Sequence, residues 1–150
     1  IEWDTKIPNL KKRISGCNKA FEERGFPQKN ISLFSYKDLK NSKGSQIIEQ
    51  ILRDQDITGI IFGHHILAEK VFRYITKNNT TIFDQKKVIV IGTPIWTDFC
   101  NPPVICIDQK EREIGQEASK RLIKKIECRE EQDNNPTIKI IECEIRSGIC

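Results

Sequence analysis

The feature that most constrains the fold is a run of four consecutive β-branched residues, 88–91, which stops at a glycine. The run reads Val-Ile-Val-Ile and is followed by Gly92. β-Branched side chains favour extended backbone, and a run without polar alternation is typical of a strand in a parallel sheet that is covered on both faces. We therefore predict that residues 87–92 form a central, parallel strand.

Further apolar runs alternate with segments in which apolar residues recur at intervals of three and four, the period of an amphipathic helix. The predicted helices span 10–24, 43–54, 66–77 and 110–128. The predicted strands span 31–36, 58–62, 87–92, 104–107 and 137–145. Strand 58–62 is nearly all apolar and is expected to be covered on both faces, and Gly25 is expected to cap the first helix. The alternation predicts an α/β fold: a doubly wound, mostly parallel sheet flanked by helices.

Length and charge exclude several classes of protein. The 150 residues suffice for one domain of roughly 100 to 200 residues, and no apolar run approaches the ~18 residues of a membrane helix, so no membrane partner is expected. The net charge of +4 is scattered along the chain, whereas a DNA-binding surface concentrates its basic residues. The start resembles no signal peptide and the chain contains no methionine, which predicts a segment of a longer protein.

The six cysteines follow no disulfide framework and include no Cys-x-x-Cys pair. Cys106 and Cys143 lie in apolar runs, where a reduced cysteine acts as a small hydrophobic residue. These features predict reduced thiols and a cytoplasmic protein. A zinc site that combines cysteines with His64 and His65 lacks the usual ligand spacing, so neither a metal nor a cofactor is expected.

Doubly wound sheets bind ligands beyond the carboxyl ends of their strands. His64 and His65 follow strand 58–62, Trp96 lies in the loop after strand 87–92, and Asp108 with Gln109 follows strand 104–107. An exposed Trp96 could stack on a sugar or a base, or fill a subunit interface. The sequence contains no nucleophile elbow, phosphate-binding glycine loop or metal motif, so binding is favoured over catalysis.

A collinear set of residues along nearly the whole chain resembles a known family. The set comprises Arg13-Ile14-Ser15-Gly16-Cys17, Phe21, Gly25, Gly44, the segments 58–62 and 88–92, Pro102-Pro103, Ile107-Asp108-Gln109, Ile114-Gly115 and Glu144–Ser147. It resembles the C-terminal half of the effector domain of the lactose-repressor/galactose-repressor (LacI/GalR) family of bacterial transcription regulators. In that family a DNA-binding helix-turn-helix headpiece precedes a two-lobed, periplasmic-binding-protein-like domain whose cleft holds a small effector.

The resemblance implies a ligand-binding site. Arg13 matches the family's effector-binding arginine, and Gln109 also matches. His64-His65 stands where the family often has Asn-Asp. The resemblance and the strand ends together assign seven positions to ligand binding. These are Arg13, Leu39, His64, His65, Pro94, Trp96 and Gln109.

Three of the family's usual polar or aromatic contacts differ in this chain. Besides His64-His65 in place of Asn-Asp, Pro94 lies in the turn that usually supplies a sugar-binding acid, and Leu39 replaces an aromatic residue that commonly walls the cleft. Either the ligand therefore differs in chemistry, with Trp96 or the histidines making the contacts, or the site has decayed and the domain acts mainly through dimerisation.

The resemblance also implies how the chain is divided between the two lobes. Residues 1–101 and 137–150 are expected in the second lobe and 104–128 in the first, with the headpiece and most of the first lobe upstream. The homodimer surface is expected on helix 66–77, with Phe72 exposed, and on the loop that holds Phe99 and Cys100.

The resulting prediction is the effector-sensing, dimerising part of a transcription regulator, with no enzymatic activity. Its effector would be a sugar, a sugar phosphate or a nucleobase, and it would act on operator DNA only through a domain outside this chain. One alternative is a solute-binding protein of the ribose-binding type, which an upstream secretion signal would support and a helix-turn-helix would exclude. Another is a small α/β enzyme, which would require turnover that is lost in His64→Ala.

Overall fold

The computed structural model of the protein describes residues 8–27, 31–40, 43–78, 86–100, 103–127 and 138–147. The α-helices in these ranges are α1 (Pro8–Glu23), α2 (Tyr36–Lys40), α3 (Gly44–Arg53), α4 (His65–Lys77) and α5 (Glu111–Glu127). The strands are β1 (Gly59–Phe62), β2 (Lys87–Ile91), β3 (Ile105–Asp108) and β4 (Glu144–Ser147), and a 3-10 helix spans Ile95–Phe99. The predicted helices match α1, α3, α4 and α5 to within two residues at each end.

The four strands form one sheet in the order β1-β2-β3-β4. β2 pairs in parallel with β1 on one side and with β3 on the other, and β4 is antiparallel to β3. The prediction of a central, parallel strand at 87–92 is therefore confirmed. The sheet is mostly parallel and is flanked by helices, as predicted.

The hydrophobic core lies on one face of the sheet. Successive side chains of a strand point to opposite faces, and burial in the three parallel strands alternates with this period of two. Ile60, Val90 and Cys106 pack with buried residues of α3 and α4. Ile61 points to the other face and is 36% exposed. The expectation that strand 58–62 is covered on both faces is wrong for the described residues, because the buried residues of α3 and α4 cover only one.

Gly25 ends the first helix as predicted. Its φ of +74° is a left-handed conformation that glycine adopts without a steric cost, and its N–H donates to the carbonyl of Glu22 at 2.9 Å.

The predicted strand at 31–36 is wrong. The chain forms no strand there, and α2 begins at Tyr36. Both the N–H and the hydroxyl of Ser35 donate to the Asp38 carboxylate, at 2.6 and 2.7 Å, and the Asp38 N–H lies 3.4 Å from the Ser35 hydroxyl oxygen. This reciprocal capping of a helix start outweighs the β-propensity of the residues that precede it.

The last predicted strand, 137–145, begins later than expected. β4 starts at Glu144 and continues to Ser147, while residues 138–143 are not in a strand and Thr137 lies outside the described residues, as does nearly all of the predicted loop 127–135. β3 has four residues, and all four pair with β4. The ladder is therefore limited by the length of β3 rather than by the β-propensity of the residues before Glu144.

β3 and α5 differ in how they are packed. β3 is hydrogen-bonded in the same sheet as β1 and β2, so it is not separated from the strands that were expected in the second lobe. α5 has no buried residue. Its exposed large apolar side chains are Ile114, Leu122, Ile123 and Ile126. The division of the chain between two lobes stays a prediction.

Two aromatic residues that were expected to be exposed are packed. Phe72 on α4 contacts Phe62 of β1, with ring centroids 6.5 Å apart, and Trp96 of the 3-10 helix, with centroids 4.7 Å apart. Both side chains are half-buried against the core. The expectations of an exposed Phe72 and an exposed Trp96 are wrong, because each ring covers the other.

None of the described helices is long and apolar enough to cross a membrane. Cys100, Cys106 and Cys143 are free thiols, and Cys128 and Cys150 lie outside the described residues.

Gly44, the first residue of α3, packs against the backbone of Leu39 in α2. A Cβ at Gly44 would overlap the carbonyl oxygen of Leu39, and only a backbone shift could relieve the overlap. Gly16 is exposed in the middle of α1, and a Cβ there would meet no described atom within 4 Å beyond its chain neighbours and the backbone of its own helix.

We expect Gly44→Ala to lower the free energy of unfolding by more than about 2 kcal/mol, because overpacking against backbone is relieved only by strain. Gly16→Ala is the control, which should be neutral or stabilising by up to about 1 kcal/mol through helix propensity. Urea unfolding with an unchanged m-value measures both. Equal effects of the two substitutions would show that the contact between α3 and Leu39 is not tight.

Candidate ligand-binding cleft

A cleft lies at the carboxyl ends of the parallel strands, where the fold brings three chain segments together. Gly63-His64-His65 follows β1, Gly92-Thr93-Pro94 follows β2, and Gln109 follows β3. The cleft has a volume of about 380 Å³. It is lined by Asn9, Leu10, Arg13, His64, His65, Ile66, Ile91, Gln109 and Glu111.

Arg13 on α1 connects the ends of two strands. Its Nη1 donates to the carbonyl oxygen of Gly63, and its Nη2 donates to Oε1 of Gln109 at 2.7 Å. These bonds use two of the five N–H donors of the guanidinium. The bond to Gln109 also orients that amide, because Oε1 faces Arg13 and the NH₂ group is turned elsewhere. Arg13 and Gln109 were both expected in the site, and the structure brings them into direct contact.

His64 caps the start of α4. Its Nδ1 accepts a hydrogen bond from the N–H of Ile66 at 3.3 Å, so the proton of the neutral ring is on Nε2. Its ring stacks on that of His65, with centroids 4.6 Å apart and planes at 28°. Burial, together with the nearby charges of His65 and Arg13, lowers the pKa of His64 below its ordinary value of 6.5. The neutral ring is therefore favoured near pH 7.

A second, smaller cavity of about 180 Å³ adjoins the cleft and is lined by His65, Thr93, Pro94 and Glu111. Gly92, next to this cavity in sequence, allows the imidazole of His65 to approach the backbone. Its φ is +115°, and a Cβ there would lie 3.3 Å from Nδ1 of His65. Glycine is thus required both by the backbone conformation and by the approach of the imidazole.

The seven residues that were expected to bind a ligand fall into three groups. Arg13, His64, His65 and Gln109 line the larger cleft, and Pro94 lines the smaller cavity beside His65. Leu39 is instead buried in the hydrophobic core, where Gly44 packs on its backbone and Lys70 donates to its carbonyl. Leu39 is therefore a core residue rather than a wall of the cleft.

Trp96 also packs away from the residues that line the cleft. Its ring lies on Phe72, and its Nε1 is buried without a hydrogen-bond partner among the described residues. An indole that covers the core in this way is not presented to a ligand in the cleft.

Five residues that line the cleft were not predicted as ligand-binding positions, namely Asn9, Leu10, Ile66, Ile91 and Glu111, and two of them carry a recognisable signal. Asn9 and Leu10 precede Arg13 by four and three positions, which places them on the same face of α1. Glu111 lies two residues after Gln109 at the start of α5, and no spacing rule singles it out.

Asp108, which also follows β3, serves the structure rather than the cleft. Its buried carboxylate accepts from Nη2 of Arg146 at 2.6 Å and from the backbone N–H of Lys110 at 2.7 Å. Lys110 has a φ of +56° and binds Glu144. This contact raises the pKa of Lys110 and lowers that of Glu144. In the part of the chain that the structure describes, no group of three or more His, Cys, Asp or Glu side chains could hold a metal ion.

The lowered pKa of His64 predicts a loss of stability as pH falls. The unfolded chain, with a histidine pKa of about 6.5, takes up the proton before the folded one, so the loss begins near that value and is complete below the folded pKa. We expect the wild type to lose stability relative to His64→Asn between about pH 7 and pH 5. Asparagine is also a good N-cap but does not titrate in this range.

Chemical denaturation of both proteins at several pH values measures this difference. The carboxylates with lowered pKa, those of Asp38, Glu117 and Glu144, ordinarily titrate at 4.5 or below and therefore fall outside this window. Parallel stability profiles of the two proteins would contradict the assignment.

Comparison with known proteins relates this chain to transcriptional regulators. No family model matches the chain. The chain is 31% identical over 136 residues to the Paenibacillus polymyxa protein named Probable HTH-type transcriptional regulator EndR, a match that covers 90% of the chain and 39% of that protein.

Solved structures with the same fold are regulators as well. A LacI family transcriptional regulator from Enterococcus faecium with bound ribose aligns with a TM-score of 0.70 at 22% identity, over 87% of this chain and 48% of that one. Transcription regulator CcpA of Lactococcus lactis aligns with a TM-score of 0.69 at 17% identity, over 97% of this chain and 52% of that one. The chain thus spans about half the length of these structures, and less of the curated relative.

The chain is therefore similar in sequence to a protein named as an HTH-type transcriptional regulator and shares the fold of solved LacI-family regulators, so the resemblance to the lactose-repressor/galactose-repressor family is confirmed at the level of the fold.

Proposed function

We propose that the chain is the effector-binding part of a cytoplasmic LacI-type transcriptional regulator and that the cleft at Arg13 holds a small, sugar-like molecule. The observation that carries the proposal is the bridge from Arg13 to Gly63 and Gln109 at the carboxyl ends of β1 and β3. It leaves a preorganised guanidinium at the place where parallel sheets bind ligands. The regulator from Enterococcus faecium, which shares the fold, holds ribose.

The remainder of the effector domain is proposed to lie outside this chain and to cover α5. The apolar side chains of α5 recur at helical spacing, and none of them is buried by the described residues. Such a stripe is stable in water only when another element covers it. We therefore assign α5, rather than β3, to the first lobe. We also propose that the ligand closes the two lobes and that this closure changes DNA binding by a headpiece upstream.

Titration calorimetry of the full-length protein tests the ligand site. We expect at least one member of a panel of sugars, sugar phosphates and nucleobases to bind, and Arg13→Ala to weaken that binding about 10- to 100-fold, since hydrogen bonds to a charged group contribute roughly 1.5 to 3 kcal/mol. Arg24→Ala, which changes an exposed arginine just beyond α1, is the matched control and should bind normally. Tight binding that is indifferent to Arg13 would refute the site.

We propose that α4 and the 3-10 helix form the interface of a homodimer. Phe99 is 83% exposed and Ile95 is 79% exposed, whereas Phe72 faces inward. Large apolar residues exposed together mark protein interfaces. The alternative of a solute-binding protein shares the fold but is not favoured by the sequence match to a transcriptional regulator.

We expect Phe99→Asp to convert the full-length dimer to monomers in sedimentation equilibrium, because a desolvated carboxylate at an interface opposes association. Phe26→Asp, which changes another exposed phenylalanine, controls for the loss of an apolar surface residue and should leave the dimer intact. A dimer that persists in Phe99→Asp would place the interface elsewhere.

A further inference from the structure

The polar groups around Arg13 are mainly hydrogen-bond donors. The guanidinium has only N–H groups, and Oε1 of Gln109 accepts from it, so the NH₂ group is the donor that this amide has for a ligand. Acceptor-rich ligand groups complement such a lining, and the anionic oxygens of phosphate and carboxylate are the strongest acceptors.

Acceptors are concentrated at the other end of the site. Glu111 contributes the one carboxylate that lines the cleft among the described residues, and it also lines the smaller cavity together with the hydroxyl-bearing Thr93. Asp108, the nearby buried acid, is engaged by Arg146 and by the Lys110 backbone. The two adjoining cavities share His65 and Glu111, so one ligand can reach both ends.

We propose that the ligand is an anionic sugar, whose phosphate or carboxylate binds at Arg13 and Gln109 and whose hydroxyls face Glu111 and Thr93. This inference rests on the proposed effector-binding function and specifies its ligand class. A neutral sugar would leave the donors around Arg13 with weaker partners, whereas an anionic oxygen accepts from the guanidinium and from the Gln109 amide at once.

Electrostatics in the cleft favours the same ligand. Burial, and after it the charges of His65 and Arg13, lowers the pKa of His64. An anion beside Arg13 reduces that repulsion, and Glu111 opposes the anion from α5. The distribution of charge therefore selects the orientation of the ligand as well as its class.

The test is the ratio of dissociation constants for a neutral sugar and its anionic counterpart, measured by calorimetry on the full-length protein. The pairs are ribose with ribose 5-phosphate, glucose with glucose 6-phosphate, and galactose with galacturonate, and inorganic phosphate is titrated alone. In the best-binding pair we expect the anionic sugar to bind at least about tenfold more tightly than the neutral one. The phosphate and carboxylate pairs distinguish the two sources of the charge.

Variants test the orientation. Arg13→Ala should bring the ratio close to one. Glu111→Gln should raise it about two- to fivefold, because the substitution removes repulsion of the anion and a strong acceptor for the hydroxyls of the neutral sugar. Glu113→Gln, in the same first turn of α5 but outside the lining of both cavities, should leave the ratio unchanged. Unfolding midpoints of each variant establish that it is folded.

The outcomes separate this inference from the proposed function. Neutral sugars that bind as tightly as their anionic counterparts would overturn the anionic ligand and leave an effector-binding domain in place. Binding of no small molecule from either panel would overturn both. A lower ratio in Glu111→Gln would overturn the orientation in which the hydroxyls face Glu111.

Discussion

Parallel hydrogen bonding of β1, β2 and β3 is the constraint on which the rest of the structure depends. Parallel pairing sends all three strands in one direction, so their carboxyl ends meet at one edge and the segments that follow them become neighbours. The same pairing requires crossover helices, and α4 supplies one of them while packing on β1 and β2. The position of the cleft thus follows from the direction of the strands and does not depend on which side chains line it.

Arg13 makes this edge into a site with a defined polarity. Its two bonds fix the positions of the Gly63 carbonyl and the Gln109 amide, while Asp108, one residue earlier, is neutralised by Arg146 and kept out of the cleft. Asp108 and Gln109, which are adjacent at the end of β3, therefore have different roles: Asp108 stabilises the fold, and Gln109 lines the cleft. Alternation along the strand accounts for this, because Asp108 continues the buried face of β3 and Gln109 leaves the strand.

The sequence was sufficient for the elements with strong local signals and for the position of Gln109. The Val-Ile-Val-Ile run predicted β2, and the strand-end rule placed Gln109 at the carboxyl end of β3, where it lines the cleft. Predictions failed where a tertiary contact or a short polar interaction decided the outcome. The bonds between Ser35 and Asp38 start a helix within an apolar stretch, and mutual packing of Phe72 and Trp96 hides rings that each segment alone would expose. Glu111 is near Arg13 only because α5 begins at the same edge.

Lys110 stiffens the junction between β3 and α5. A left-handed residue turns the chain sharply, and glycine does so without steric strain, but here a lysine takes this conformation while its ammonium binds Glu144 on β4. The ion pair therefore restrains rotation about this junction. Any rotation of α5 about this point must work against an exposed ion pair, so its stiffness depends on the ionic strength of the surrounding solution.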